Sequence, residues 1–225
     1  MALASQLSLA ELIGVGCELC GFYAPSDEDE GFTVREPLTT PVRLGRAVRA
    51  ARGMHGVKLA RRALSYVMPR SRSPMETAQA LLLCLPRSLG GQGFAHARLN
   101  ERVPLAKAAR SQLGRDHVEC DLYWPRMRVA VEYDSDRYHT GPERIARDAR
   151  RRNALAEGGV TVFTMTRDQL FDPAAFRRCA RMIATCLKRR GPSYDIESLR
   201  REDDLRRAVL GSGGVLRCRH PGKLG

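Results

Sequence analysis

At 225 residues and 25.0 kDa, the chain can form one good-sized core with appendages or two small domains. Its hydrophobic (43%) and charged (28%) fractions are those of an ordinary globular chain, but a net charge of +13 and a pI near 10.0 favour a polyanionic partner, nucleic acid before an anionic membrane surface. No run of 18 or more apolar residues exists to span a membrane, and the first residues lack the basic start of a secretory leader. Seven cysteines, an odd number, fit reduced thiols in a cytoplasm better than a disulfide framework.

In chain order, residues 1 to about 24 carry Cys17-Glu18-Leu19-Cys20, a pair that can grip zinc only if Cys218 and His220 come round to complete four ligands. The alternative is two small residues on a helix or turn. Asp27 to Glu30 is expected to be a solvated acidic loop. Pro41 to Met68 has helical spacing (Leu44, Val48, Ala51, then Leu59, Ala63, Tyr66) broken at Gly53 and Gly56. Its crowd of arginines suits either a helical buttress or a small DNA-binding unit, and the buttress is preferred because a third helix cannot be placed.

Pro69 to Pro74 is expected to be a linker. Ser73-Pro74-Met75-Glu76 then starts a helix to about Leu85, with Ser73 as N-cap and Glu76 closing a capping box. A strand is expected over Phe94 to Leu99 and a polar loop near Asn100 and Glu101. Two strands joined by a turn at Pro125 to Arg128 follow, then a loop with Tyr138 and His139. A helix from Glu143 to Glu157 aligns Arg144, Arg147, Asp148 and Arg151 in one stripe. Val160 to Met165 reads as a buried strand, Pro173 to Lys188 as a core helix with Cys179 packed inward, and Ile196 to Leu210 as an appended helix before a basic, Gly-rich tail. The expected fold class is α/β, a mixed sheet flanked by helices, with regions 1–70, 71–190 and 191–225.

The two-strand stretch concentrates the chemistry. With Pro125 to Arg128 as the loop, Trp124 faces Val129, Tyr123 faces Ala130 and Asp121 faces Glu132, so Asp121, Glu132 and Asp134 share one sheet face. Opposed like charges destabilise a sheet, so these carboxylates require either a divalent cation such as Mg²⁺ or neutralising arginines.

Ser73-Pro74-x-Glu76-Thr77, Asp121-Leu122-Tyr123-Trp124-Pro125, Val131-Glu132-Tyr133-Asp134, His139 and Arg147-Asp148-x-x-Arg151-x-x-x-Leu155-x-x-x-Gly159 occur in this order. Together they resemble the PD-(D/E)XK nuclease superfamily, in its branch similar to very-short-patch-repair (Vsr) endonucleases, over roughly residues 72 to 172. The resemblance implies a restriction-endonuclease-like core (helix, three-stranded antiparallel sheet, helix, strand) with a helical N-terminal region and a C-terminal helical extension. The N-terminal region resembles the piece that precedes such domains in abortive-infection and toxin–antitoxin proteins.

Carried onto this chain, the resemblance implies Asp121 and Glu132 as catalytic carboxylates and Glu76, Asp121 and Glu132 as ligands of Mg²⁺ or Mn²⁺. The position of the superfamily's motif Lys holds Asp134, which is carried over as a further catalytic candidate. His139 is a candidate proton donor, and Arg144, Arg147 and Arg151 are candidate nucleic-acid contacts. The implied activity is metal-dependent hydrolysis of phosphodiester bonds, in DNA before RNA, in repair, restriction or phage defence. The implied setting is cytoplasmic with no membrane partner, and some nucleases of this fold pair as homodimers to cut both strands. The rival reading is a catalytically inactive, antitoxin-like nucleic-acid-binding or regulatory protein on the same fold.

Overall fold

A computed structural model describes residues 2–26, 31–134, 141–191 and 194–211. The protein is mixed α/β, with a two-stranded and a four-stranded sheet. It divides into two compact units, residues 1–95 with 193–225, and residues 96–192.

In the first unit a short 3₁₀ turn leads into helix α1 (Leu9–Leu19), whose N-cap Ser8 and Glu11 form a capping box. Strands β1 (Tyr23–Pro25) and β2 (Phe32–Val34) pair antiparallel; at three residues each they are too short to show an alternating pattern in the sequence. The expected helical stretch is α2 (Pro41–Ala50) and α3 (Val57–Leu64), broken where expected. Gly56 stands at the N-cap of α3 with φ +81°, and a Cβ there would lie 2.9 Å from the Ala4 carbonyl, so only glycine fits.

Helix α4 (Pro74–Cys84) starts as its sequence predicts, with Ser73 Oγ accepting from the Glu76 amide at 3.1 Å. The linker expected at Pro69 to Pro74 does not divide the units, which separate between Ala95 and His96. The reason is a buried hydroxyl chain: Tyr23 Oη is 2.9 Å from Thr77 Oγ1, which lies 2.8 Å from Ser71 Oγ, so α4 is tied to β1. The amides of Gln92, Gly93 and Phe94 then donate to Leu82, Leu85 and Leu83 at the end of α4. That use of the backbone removes Phe94 from the strand expected over Phe94 to Leu99.

The second unit begins with β3 (Arg98–Pro104), which takes in Asn100 and Glu101, residues expected in a loop. Asn100 adopts φ +46° within it, and an Arg98–Glu101 ion pair at 2.8 Å closes over the local bend. A helix the sequence pattern does not reveal, α5 (Lys107–Leu113), precedes β4 (His117–Trp124) and β5 (Val129–Asp134). The β4–β5 register is the expected one: Leu122 pairs with Val131, Tyr123 with Ala130 and Trp124 with Val129.

Helix α6 (Pro142–Glu157) crosses over to β6 (Thr161–Thr166), which runs parallel to β5, completing the order β3-β4-β5-β6 with β3, β4 and β5 antiparallel. Strand β6 was expected to be buried, but it stands at the end of that order and only Met165 within it is fully covered. A short α7 (Arg167–Phe171) and α8 (Pro173–Cys186) close the unit. Phe176, Ala180 and Ile183 are buried along α8, as its spacing predicts, and Cys179 is half-buried. One core cluster gathers Val103 and Leu105, Val118 and Tyr123 of β4, Ala130 of β5, and Ala154 and Leu155 of α6.

Helix α9 (Ile196–Leu210) belongs to the first unit, where it packs on α1, α4 and the turn Arg87–Leu89. It approaches so closely that a Cβ on Gly90 (φ +88°) would meet the Arg201 carbonyl oxygen at 2.1 Å.

Candidate functional site

The expected carboxylates of the second unit come from its two central strands. Short β-branched and aromatic stretches drive the β4–β5 pairing, which ends at Leu122–Val131. Asp121 and Glu132 are the next residues beyond that last pair on their two strands. There the Asp121 side chain takes over from the backbone, its Oδ2 accepting from the Tyr133 amide at 2.9 Å.

Glu132 turns to the crossover helix. Its Oε2 lies 2.9 Å from Arg151 Nη2, and the same nitrogen also donates to the Glu119 carbonyl. The pair is largely covered, with side-chain exposures of 12% for Glu132 and 29% for Arg151. Burial lowers the Arg151 pKa, but the charge and hydrogen bond of Glu132, helped by Asp121, outweigh it and hold the guanidinium above its ordinary value. The Cys120 thiol sits in the same field. Burial and then the Glu132 charge push it up, against the opposing pull of Arg151, so it stays a protonated, inert packing group. The other oxygen of Glu132, Oε1, is buried and meets no N–H or O–H donor among the described residues. A buried carboxylate oxygen left so is costly, which makes it the natural point for a cation or a water.

Beside Arg151 opens a cleft of about 350 Å³, lined by Arg115, His117, Val118 and Glu119 as well. His117 Nδ1 is 2.5 Å from Asp116 Oδ1, a contact that holds the Asp116 carboxyl below the usual range, and Glu119 takes Arg102 Nε at 3.3 Å. Arg115 and His117 were not expected to be part of a site. Arg115 precedes β4 and His117 opens it, in a polar stretch, and nothing in their spacing marks them.

The remaining expected residues fall differently. Glu76 lies in the first unit with its carboxylate engaged locally, Oε2 accepting from the Arg72 amide at 2.9 Å and Oε1 from Ser73 Oγ at 3.2 Å; the Ser73 amide expected as its partner is passed over for the one before it. Asp134 is exposed at the end of β5, in register with Thr166. His139 and Tyr138 lie outside the described residues, as does the Arg144 side chain. Arg147 is exposed, whereas Arg151 points inward and neutralises Glu132, the structural alternative to a nucleic-acid contact.

Mg²⁺ takes oxygen ligands and is often held by one or two carboxylates with waters, so the carboxylates of Asp121 and Glu132 are of the chemical kind it takes. No group of three or more His, Cys, Asp or Glu side chains placed to share a metal ion occurs among the described residues. Zinc at Cys17 and Cys20 gains nothing from the structure: both are buried, Cys17 Sγ accepts from the Met68 amide at 3.3 Å, and burial pushes the thiols up to about 12 and about 11. Cys218 and His220 lie outside the described residues. No helix among the described residues is long and apolar enough to cross a membrane.

No family model matches the chain, and no solved structure matches it. The chain is similar to Uncharacterized protein MT2308 of Mycobacterium tuberculosis (strain CDC 1551 / Oshkosh), at 29% identity over 126 residues, 55% of this chain and 41% of that protein. The same identity and shares hold for Uncharacterized protein Rv2248 of Mycobacterium tuberculosis strain H37Rv. The chain therefore spans about two fifths of the length of the curated relatives it matches.

Proposed function

We propose that the unit spanning residues 96–192 is a metal-dependent nuclease domain of the restriction-endonuclease-like, Vsr-like kind, hydrolysing phosphodiester bonds of DNA. The observation that carries this reading is the buried Glu132 oxygen that meets no N–H or O–H donor among the described residues, on the strand next to that of Asp121. The sheet order β3-β4-β5-β6, with the parallel β6 reached through α6, supports the fold on which the reading rests.

In this proposal Asp121 and Glu132 hold Mg²⁺ or Mn²⁺ through their carboxylate oxygens. The ion, when bound, supplies a lowered pKa for water and charge neutralisation at the phosphate. Arg151 fixes the Glu132 carboxylate by holding Oε2, which leaves Oε1 as the oxygen available to a ligand. Exposed Arg147 meets flanking phosphates, and His139 donates a proton to the leaving oxygen. A cytoplasmic setting, in repair, restriction or phage defence, goes with this chemistry.

A second reading has its own observation. The Glu132–Arg151 ion pair is what a site emptied of catalysis would use to neutralise its carboxylate, and such a protein would bind nucleic acid without cutting it. Nicking of supercoiled plasmid in Mg²⁺ or Mn²⁺ separates the two. The nuclease reading expects nicking that is abolished by EDTA and reduced at least a hundredfold, on the order of one lost charge-stabilising group, in Asp121→Asn and Glu132→Gln. Absence of nicking of any DNA or RNA by protein that still binds it selects the second reading.

A further inference from the structure

Nine of the chain's net thirteen positive charges come from one stretch, residues 37–75, which contains nine Lys and Arg and no Asp or Glu. An arginine-rich composition does not account for this, because α9 follows the opposite rule. There four arginines are matched by four acids, and Arg201–Glu197, Arg206–Glu202 and Arg207–Asp204 are ion pairs along the helix.

On α2 and α3 the cations have no such company. Arg43, Arg46 and Arg49 of α2 and Lys58, Arg61 and Arg62 of α3 are all exposed, and none has an acidic partner among the described residues. The helices meet on their other side: Gly45 and Val48 of α2 and Ala63 of α3 are buried, and a Cβ on Gly45 would touch Leu64 at 3.4 Å. Cations three and four residues apart repel, and Arg43 in the first turn of α2 opposes the helix dipole. Among the described residues no acidic side chain relieves this repulsion, which a polyanion would do.

We propose that the α2–α3 face is a docking surface for the phosphate backbone of duplex nucleic acid, separate from the carboxylate site of the other unit. Residues 37–65 contain no Phe, Tyr or Trp, and His55 between the two helices is the one aromatic ring in the stretch, so the face suits backbone contacts on a duplex more than stacking on unpaired bases. Each phosphate neutralised releases counterions, which makes affinity fall steeply with salt.

The test is fluorescence anisotropy of the full chain with a labelled mixed-sequence duplex of about 20 base pairs, titrated with salt. Two variants, R43Q/R46Q/R49Q and K58Q/R61Q/R62Q, remove charge from α2 and α3, and R200Q/R207Q on α9 serves as control. Each of the first two is expected to bind at least about tenfold more weakly at about 0.1 M salt, with a log–log salt slope shallower by about 2 to 3, while the control matches the parent. Because the substitutions relieve repulsion, thermal midpoints are expected to hold or rise. Unchanged affinity and slope in both triple variants overturn the proposal, as does an equal loss in the α9 control. Binding to phosphatidylserine-containing vesicles without binding to the duplex also overturns it, in favour of a membrane surface. Binding is read without divalent metal, so failure of the nuclease reading, seen as absence of nicking, leaves this result untouched.

Discussion

Arg151 on the crossover helix and Glu132 on the central strand meet at 2.9 Å, and the two are unequally covered, Glu132 being the more buried. Removing the arginine leaves a covered carboxylate with no N–H or O–H side-chain donor to either oxygen among the described residues. Removing the acid leaves a guanidinium that still reaches the Glu119 carbonyl and solvent. Arg151→Met is therefore expected to cost about 2–3 kcal/mol and Glu132→Gln about 1 kcal/mol, with the double variant less destabilised than the sum. Urea unfolding of the four proteins measures the cycle. Additive losses would mean that the pair contributes nothing as a pair.

Leu122, fully buried on β4, is the last residue of its strand paired with β5 before Asp121. Leu122→Ala is expected to destabilise the second unit by about 3 kcal/mol through lost burial and a residual cavity. If the proposed chemistry is right, plasmid nicking should fall with it, since Asp121 and Glu132 directly follow this last pair on their strands. Nicking at the parental rate below the unfolding transition would show that the register tolerates the cavity.

Ser73 accepts from the Glu76 amide at the start of α4 and also donates to the Glu76 carboxylate. Ser73→Ala is expected to cost about 1 kcal/mol, the usual effect of losing an N-cap oxygen, and Ser73→Thr, which keeps both the acceptor and the donor, to recover most of it. The readout is the urea midpoint at constant slope.

The buried thiols predict an alkaline weakness. The Cys17 and Cys20 pKa values rise from an ordinary 9.0 to about 12 and about 11, so between those limits the unfolded chain loses protons that the folded chain keeps. Their contribution is complete below pH 9 and is lost as pH rises toward 11 and 12. The expected slope is about 1.4 kcal/mol per pH unit for each thiol. Stability measured from about pH 8 to about pH 11 should fall, and fall less in Cys17→Ala/Cys20→Ala. Equal pH slopes in parent and variant would remove the thiols as the cause.

Local rules made much of this legible from the residues alone. The Ser73-Pro74 helix start, the Pro125 to Arg128 turn and hence the β4–β5 register, the spacing of α8 and the extent of α9 follow from capping, turn chemistry and periodicity. Each is decided by contacts within a few residues. The placement of Asp121 and Glu132 on adjacent strands, each one residue beyond the last recorded pair, was readable for the same reason.

Tertiary structure decided what depends on distant partners. The Tyr23–Thr77–Ser71 hydroxyl chain draws α4 into the first unit, and the end of α4 captures the backbone of 92–94, so β3 starts later than its apolar pattern suggests. Which arginine of the α6 stripe turns inward is likewise invisible in the spacing. Arg151 does so because Glu132 and the Glu119 carbonyl lie under that turn of the helix, a choice made by the packing of α6 on the sheet.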